Sequence, residues 1–478
     1  MGPRRLKEGT SKTPTQTINP RLKVLFLAYF YPPSDNRGVP GCMRTVKFVR
    51  ALPNVDAYVV TSQKKVDKNA DALRHLSLPV NNEKIHRVKV LDFFKYFLET
   101  RKKIKNLLQK IVTKKSLTYQ YGKNFESVPH SRKSKIENFK DTIYHLVYLP
   151  DNASPWILPS IICGRRLIKK EGIDVIFATG SPWSCLVSGY FLSKFTGVPL
   201  IADFRDPWRG NPFDKSRGRI IEGINTALEK AVVNQASAVS LNTPPLMADF
   251  RARYPDAEEK FFVMANGFDP NDFSSVKKHS GFSPDRIVLC HAGQLYGLRD
   301  PKALLKAIRL TNIYFASSGK KIIFQQIGNI DLNYDPYVEF KDLIEEQTFI
   351  VIPPTTYQES ISLLNQSDIL VNIQPSTKTQ IPSKLYDYLA LKKPIMNLTP
   401  ADGALGQLAR EHSVGELFSD TRPEQISEQL IKFIESESYS NFNGYDSMNE
   451  FDIQNIANKL YEVMTQITDR NNQSDLWN

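Results

Sequence analysis

The stretch Gln380-Ile-Pro-Ser-Lys-Leu-Tyr-Asp-Tyr-Leu-Ala-Leu-Lys-Lys-Pro394 decides how we interpret the fold of this 478-residue chain. Residues 368–373 precede it and are apolar and partly β-branched, which predicts a buried strand. A proline suited to the first helical position and a serine suited to the cap predict a helix that starts at Pro382 or Ser383 and stops before Pro394. Ile395 begins the next strand. This order of strand, loop, helix and strand is typical of a parallel sheet.

The start of the predicted helix has the chemistry of an anion-binding site. It is expected at the carboxyl edge of the sheet, where free amides and the helix dipole favour phosphate. Lys384 adds a positive charge, and Asp387 lies one turn further on, where a carboxylate can hold a vicinal diol. A nucleoside diphosphate carries both groups. The alternative is an ordinary βαβ unit with a solvated helix.

Alternating strands and helices continue along the chain and predict an α/β fold with two Rossmann-like domains. The predicted parts are a disordered basic tail (1–20), an N-terminal domain (21–273) with a basic insert (about 80–145), a linker (274–284), a C-terminal domain (285–440), and a final helix with a tail (441–478).

Charged residues crowd the end of the predicted strand 198–204. Asp203 belongs to this strand, and Arg205, Asp206 and Arg209 follow it directly. Loops of successive βα units open on one edge of the sheet, so we expect these side chains near the loop after the first strand. They are candidates for a binding site, and the alternative is a local cluster of ion pairs and caps.

Arg299 lies beside a second predicted helix start. Asp300 suits the cap and Pro301 the first helical position. A guanidinium at such a place suits a diphosphate because it can bind two oxygens at once. His291 ends the preceding strand and is a candidate cleft residue, although we favour a histidine satisfied within the core.

The net charge of +13 is concentrated in one region, where residues 92–140 hold thirteen Lys or Arg against four acids. Residues 92–115 combine aromatic residues and lysines at roughly helical spacing. Three interpretations compete: a helix packed on its own domain, a helix on an anionic membrane surface, and a nucleic-acid contact. The last is disfavoured because no recognised nucleic-acid motif accompanies the charge, and we predict no nucleic-acid partner.

Several chemistries and locations find no support in the sequence. The four cysteines lack CxxC or metal spacing, which predicts free thiols in a reducing compartment. No HExxH, paired Cys/His set or suitably spaced DxD occurs, so we expect no obligate metal and no cofactor. No apolar run approaches a membrane span, and residues 1–20 lack the apolar core of a secretory signal, so we expect a cytoplasmic protein.

The segment from Pro382 to Ile395 resembles the donor-site helix of GT-B glycosyltransferases of the retaining family-four type. The resemblance implies that Asp387 binds the ribose of the nucleotide and that Lys384, Arg299 and the amides at Ser383 stabilise the departing diphosphate. Two positions depart from the family pattern. Thr379 replaces the usual donor-site glutamate, and Gln294 with Arg299 replaces an arginine and a lysine five residues apart, so that one cation is lost.

The run Ala202-Asp-Phe-Arg-Asp-Pro-Trp208, with Thr179-Gly-Ser-Pro182 upstream, is similar to a bacterial branch of the same group. This similarity implies that Arg205 and Asp206 face the reacting sugar or the acceptor, and it makes Asp203 and Ser181 acceptor-side candidates. In that family the loop after the first strand approaches the donor and the last helix crosses back to the first domain. The corresponding loop residues here are Arg37, Gly38 and Gly41.

The sequence therefore predicts a glycosyltransferase that moves a sugar from a nucleotide-sugar donor to a hydroxyl of a glycan or lipid-linked acceptor. The resemblance adds retention of configuration, a closing cleft and a role in surface polysaccharide or glycolipid synthesis at the inner membrane face. Two alternatives remain. One is a GT-B epimerase or hydrolase of nucleotide sugars, and the other is a catalytically silent binding or scaffold protein, which Thr379 and Gln294 would suit.

Overall fold

The computed structural model describes residues 21–32, 40–63, 83–92, 96, 100, 145–211, 217–274, 276, 285–374, 378–419 and 421–475. The predicted tail 1–20, the loop residues Arg37 and Gly38, most of the basic segment 92–115 and most of the predicted linker lie outside this range.

The N-terminal domain is built on a seven-stranded parallel sheet with the order β3-β2-β1-β4-β5-β6-β7. Its central strands are continuous apolar runs because helices cover both faces. The strands are β1 (Leu22–Leu27), β2 (Val55–Ser62), β3 (Lys84–Val88), β4 (Val175–Gly180), β5 (Leu200–Phe204), β6 (Ala238–Leu241) and β7 (Phe261–Val263). The helices are α1 (Pro40–Ala51), α2 (Ile157–Leu167), α3 (Ser184–Thr196), α4 (Arg219–Gln235) and α5 (Pro244–Arg253).

The C-terminal domain has a six-stranded parallel sheet with the order β12-β10-β8-β13-β14-β15, and β9 and β11 form a separate pair. The strands are β8 (Arg286–Ala292), β9 (Leu295–Tyr296), β10 (Lys321–Ile327), β11 (Ile330–Asp331), β12 (Phe349–Ile352), β13 (Ile369–Ile373), β14 (Ile395–Leu398) and β15 (Glu416–Phe418). The helices are α6 (Lys302–Phe315), α7 (Pro336–Glu339), α8 (Lys341–Glu345), α9 (Tyr357–Asn365), α10 (Lys384–Ala390), α11 (Ala404–Glu411), α12 (Pro423–Glu435) and α13 (Ile453–Asp475).

Both sheets are doubly wound, which confirms the predicted α/β fold with two Rossmann-like halves. The strand order reverses between β1 and β4 in the first sheet and between β8 and β13 in the second. Such reversals open crevices at the carboxyl ends of the strands, where α/β proteins bind their ligands. Several elements were missed, among them α7, α8, α11, β9, β11 and β15 of the second domain. Helix α5 was not predicted, and β3 pairs with β2 inside the range 80–145 assigned to the insert, so that range includes a strand of the sheet.

The stretch that decided the prediction contains α10 and lies between β13 and β14, in the expected order. The helix is shorter than predicted. Ser383 holds the cap position, but its side chain makes no capping hydrogen bond. Leu385 and Leu389 are fully buried on the inner face of α10, and this burial rather than the cap fixes the helix on the sheet.

Helix α13 returns the chain to the first domain. Its buried residues Ile456, Ala457, Leu460 and Met464 belong to the same apolar cluster as Val24 and other residues of the first sheet. Gly267 allows the close approach that this return needs, because a Cβ there would lie 2.7 Å from the carbonyl oxygen of Phe451. The final helix thereby joins the two ends of the fold.

The substitution Leu460→Ala should test how much this helix contributes. Removing a fully buried leucine side chain costs about 2–5 kcal/mol of unfolding free energy because it leaves a cavity. Urea unfolding followed by circular dichroism measures the change, and the exposed Glu462→Ala in the same helix is the matched control, expected within about 0.5 kcal/mol of the parent. Equal effects of the two substitutions would contradict the packing described.

Candidate functional site

A cavity of about 310 Å³ lies between the two domains, at the carboxyl edges of both sheets. Both domains contribute to its wall. The lining residues are Met43, Arg44, Lys47, Asn266 and Gly267 from the first domain, Ala292, Gly293, Tyr357, Ser360, Ile361, Leu364, Ser383, Lys384, Asp387 and Tyr388 from the second, and Ile453 at the start of α13.

Lys384 projects from the first turn of α10 towards the end of β8. Its Nζ lies 2.5 Å from Nε2 of His291, and Nδ1 of that histidine lies 2.6 Å from Oε1 of Gln326. Burial, reinforced by the charge of Arg299, lowers the pKa of Lys384 well below its usual range. An anionic ligand in the cavity would stabilise the charged amine and raise this pKa again. Lys384 is therefore suited to bind an anion.

Asp387 lies one turn beyond Lys384 on the same helix. Its Oδ1 accepts a hydrogen bond of 3.0 Å from the hydroxyl of Tyr357 and lies 3.5 Å from Nζ of Lys47. Burial, followed by the charge of Asp387, raises the pKa of Tyr357, so the phenol keeps the proton that it donates. Within the part of the chain that the structure describes, both contacts of this carboxylate use Oδ1, so Oδ2 can accept a hydrogen bond from a ligand hydroxyl.

Arg44 of α1 is held at the carboxyl edge of the first sheet. Its Nη2 donates to Oδ1 of Asp203 at 3.1 Å and to the carbonyl of Met264 at 2.6 Å. Its Nη1 donates to Oδ1 of Asn266 at 2.8 Å. Asp203 also accepts bonds from the Thr179 hydroxyl at 2.7 Å and from the Ser240 hydroxyl at 2.8 Å. Arg44 and Asp203 thus form a buried, hydrogen-bonded ion pair, and Arg44 lines the cavity.

The position of Asp203 corrects one sequence-based assignment. Its side chain is fully buried with three hydrogen-bonding partners, so it presents no surface to an acceptor. The sequence placed it on the acceptor side because the strand end was correctly located. The side chain points into the sheet edge instead, where it organises Arg44.

Arg205 and Ser181 lie together beside that pair. Nε of Arg205 donates to the carbonyl of Gly180 at 3.1 Å, and its Nη2 donates to the carbonyl of Ser181. Burial lowers the pKa of Arg205. This arginine is nearly buried and ties β5 to the loop after β4, so it fixes the conformation of the acceptor-side loop.

Two further hydrogen bonds cross between the domains. Nε2 of Gln380 donates to Oδ1 of Asp206 at 2.7 Å, and the hydroxyl of Thr243 donates to the carbonyl of Thr379 at 2.7 Å. Both join the loop before α10 to the carboxyl edge of the first sheet. Asp206 and Thr379 thus meet the opposite domain in this structure.

Arg299 and Gln294 lie in the loop after β8. The guanidinium of Arg299 stacks 5.3 Å above the centre of the Tyr296 ring, and its charge contributes to the lowered pKa values of both Lys384 and His291. Gln294 is exposed. At the following helix start, Asp300 accepts a hydrogen bond of 2.8 Å from the amide of Lys302.

The structure brings some of the predicted site residues together and separates others. Ser383, Lys384 and Asp387 line the cavity, whereas seven other predicted residues are outside its wall: Ser181, Asp203, Arg205, Asp206, Gln294, Arg299 and Thr379. Gly38 lies outside the described residues, and the described backbone of Gly41 belongs to α1.

Sequence reasoning missed Arg44, Lys47 and Tyr357. The first two are three residues apart in the helix after the first strand, so they share one helical face at a strand's carboxyl end. That spacing was a usable signal. No sequence signal pointed to Tyr357, since a tyrosine at a helix start is compatible with many roles. His291 is a buried histidine, as favoured, but one of its two partners is Lys384.

Two kinds of feature are absent from the part of the chain that the structure describes. No three His, Cys, Asp or Glu side chains there are grouped so that they could hold a metal ion. Among the same residues, no helix is both long and apolar enough to cross a membrane.

Comparisons with known proteins agree with this geometry. Residues 126–272 match the model of the family described as Glycosyltransferase Family 4. No curated protein sequence matches the chain.

Three solved structures are similar over nearly the whole chain. HepE from Anabaena, in complex with UDP and glucose, is 13% identical, with 93% of this chain and 99% of that chain covered and a TM-score of 0.54. Sucrose-phosphate synthase from Thermosynechococcus elongatus is 11% identical, with 94% of this chain and 99% of that chain covered and a TM-score of 0.57. TarM is 12% identical, with 94% of this chain and 99% of that chain covered and a TM-score of 0.55.

The two facing Rossmann-like domains are the GT-B fold, as predicted. The chain therefore combines a stretch that matches the Glycosyltransferase Family 4 model, in its N-terminal half, with the GT-B fold of these solved structures.

The substitution Asp203→Asn should test the buried ion pair between Arg44 and Asp203. It leaves the guanidinium of Arg44 buried without a charged partner, which costs about 3–5 kcal/mol of unfolding free energy. Ser240→Ala removes only one neutral hydrogen bond to the same carboxylate and should cost about 1 kcal/mol. Chemical unfolding compares the two variants. If both lose the same small amount, Asp203 does not organise Arg44.

Proposed function

We propose that this protein transfers a sugar from a nucleoside-diphosphate sugar to an acceptor hydroxyl, with the donor bound at α10. The main support is that Lys384 and Asp387, one turn apart on one helix, both line the cavity between the domains. The first is a cation for the diphosphate, and the second is a carboxylate for the ribose. UDP-glucose is the first donor to test, since the similar HepE structure contains UDP and glucose.

Departure of the nucleoside diphosphate would build negative charge beside Lys384. This amine and the guanidinium of Arg299, which lies close enough to lower the pKa of the lysine, would stabilise that charge in a cleft with little water. The proposed reaction therefore needs no metal ion. Retention of configuration is proposed by analogy with the family-four type.

We place the acceptor on the side of the first domain, near Ser181 and Asp206. Arg205 would keep the loop after β4 in shape, through its bonds to the carbonyls of Gly180 and Ser181. Asp206 would exchange its bond with Gln380 for a hydroxyl of the sugar or the acceptor. Breaking and remaking this contact would accompany opening and closing of the cleft.

A lipid-linked acceptor at the inner membrane face is the proposed partner class, within surface polysaccharide or glycolipid synthesis. Besides the basic segment 92–115, helix α2 supports this. Its outward stripe continues into the following turn and consists of Leu158, Ile162, Arg165 and Lys169, all exposed. Apolar and basic residues along one outward face suit a helix that lies on an anionic membrane.

Calorimetric titration with a panel of nucleoside diphosphates tests the donor site. One nucleotide, with UDP expected, should bind saturably to the parent protein. Asp387→Ala should weaken it about ten-fold or more, because a charged hydrogen bond to the ribose is lost. Glu428→Ala, an exposed acid of α12 that does not line the cavity, is the matched control and should bind like the parent.

The same titration separates the alternatives. No binding of any nucleotide would overturn the donor site and leave the scaffold function. If a nucleotide binds, incubation with its sugar conjugates follows, with and without a membrane extract as acceptor. Sugar appearing in glycan or lipid supports transfer, and NMR of the new linkage reports its configuration. Free sugar or an epimer formed without acceptor would favour the epimerase or hydrolase function.

Co-sedimentation with lipid vesicles tests the membrane surface. Vesicles containing phosphatidylglycerol should bind the protein, and pure phosphatidylcholine vesicles should not. Charge reversal in Arg165→Glu with Lys169→Glu should weaken binding at least about five-fold per lost cation. Lys341→Glu, an exposed lysine of the second domain, is the control. Equal binding to both vesicle types would exclude an anionic surface as the partner.

A further inference from the structure

A row of three side chains beneath the cavity connects two strands of the second sheet to Lys384. His291 on β8 and Gln326 on β10 are direct partners in the parallel register, and both are fully buried. Oε1 of Gln326 lies 2.6 Å from Nδ1 of His291, and Nε2 of His291 lies 2.5 Å from Nζ of Lys384. Only the lysine lines the cavity.

The contacts of Gln326 decide where the histidine carries its proton. The amide nitrogen of Gln326 donates to the carbonyl of Gly293 at 2.7 Å and to that of Ile327 at 3.1 Å. Its oxygen therefore faces His291 and can only accept. Nδ1 of His291 must then be the N–H donor, which leaves Nε2 with a lone pair directed at the amine of Lys384.

The charged form of the histidine does not fit this arrangement. Both ring nitrogens of an imidazolium are donors, so its Nε2–H would oppose the amine hydrogens of Lys384. Burial and the charge of Lys384 lower the pKa of His291 well below its usual range. The neutral ring that the hydrogen bonds require is also the form that burial favours.

The backbone around the amine leaves space for it. Gly293 has φ +123°, and a Cβ on this residue would lie 2.9 Å from Nζ of Lys384. A Cβ on Gly328 would lie 2.8 Å from the carbonyl oxygen of Gly293. The two glycines let the loops after β8 and β10 close around the lysine. The end of the Lys384 side chain is thus enclosed on the side away from the cavity.

We propose that His291, oriented by Gln326, is a positioning residue that holds the amine of Lys384 at the cavity wall for the diphosphate of the donor. This inference rests on the proposed function and adds two residues to it. A lysine side chain loses much rotamer freedom when a ligand fixes it. A hydrogen bond that already fixes it before binding removes part of that cost, and affinity rises accordingly.

A double-mutant cycle on UDP binding tests the proposal, with calorimetry on the full chain. Lys384→Met removes the amine, and His291→Phe removes the acceptor that holds it. His291→Phe alone should weaken UDP binding about ten-fold, as for a lost hydrogen bond to a charged group. In the Lys384→Met background the same change should have less than about a two-fold effect, because nothing remains to be positioned.

Rescue separates positioning from a structural role. The amide of His291→Gln can place an acceptor near the position of Nε2, so this variant should regain most of the affinity that His291→Phe loses. Gln326→Met leaves the histidine but removes the acceptor for Nδ1–H, and its effect should also vanish without Lys384. If His291→Phe does not fold, the Gln326→Met variant is used for the test instead.

The outcomes of the cycle are distinct. If the parent protein binds no UDP or other nucleoside diphosphate, the proposed function fails. If it binds and Lys384→Met weakens binding, but His291→Phe adds its full effect in both backgrounds, the positioning role alone is overturned. Failure of His291→Gln to recover affinity, with the variant folded, would also count against it.

Discussion

The return of the final helix to the first domain is the constraint on which the rest of the cleft depends. Helix α13 buries Ile456, Leu460 and Met464 in the same cluster as the first sheet, although it follows the whole second domain. Each parallel sheet offers its loops at only one edge. Here residues of both domains line one cavity, and α13 packs the end of the chain back onto the first sheet. Gly267 lies near the end of the first domain and packs closely on Phe451, which comes just before α13.

Two cations at the cleft illustrate different uses of burial. Arg44 has a charged partner: its two terminal nitrogens bond to Asp203, Asn266 and backbone carbonyls, so its charge is already balanced by a carboxylate. Lys384 has a neutral acceptor, His291, and a like charge nearby in Arg299. A buried cation that already has a carboxylate partner gains less from an added anion than a buried cation beside neutral and positive groups. This asymmetry between the two sides of the cavity supports the proposal that the anion binds on the side of the second domain.

The sequence predicted the fold better than the site, and for a physical reason. Apolar runs such as that of β1 are local signals, and so are Pro382 and Pro394, which mark the start and the end of a helix. Strands and helices could therefore be located from the sequence. Strand ends also located Asp203 and Arg205 at the right edge. Which way those side chains point depends on partners more than 20 residues away, such as Thr179 and Gly180. No local pattern carries that information, and the partnership of His291 with Lys384 across 93 residues was hidden for the same reason.

The ion pair between Lys47 and Asp387 links the two halves of the proposed donor site. Lys47 belongs to the first domain and also donates to the carbonyl of Gly267 at 3.1 Å, so its position follows that domain. Asp387 belongs to the helix that would hold the nucleotide. In the proposed mechanism, opening of the cleft would take the Lys47 cation away from Asp387. Closure would pair Oδ1 with that cation again and leave Oδ2 able to accept a hydrogen bond from a ribose hydroxyl. Closure and nucleotide binding would thus be coupled through one carboxylate, because Oδ1 contacts Lys47 of the first domain while Oδ2 would accept a hydrogen bond from the nucleotide.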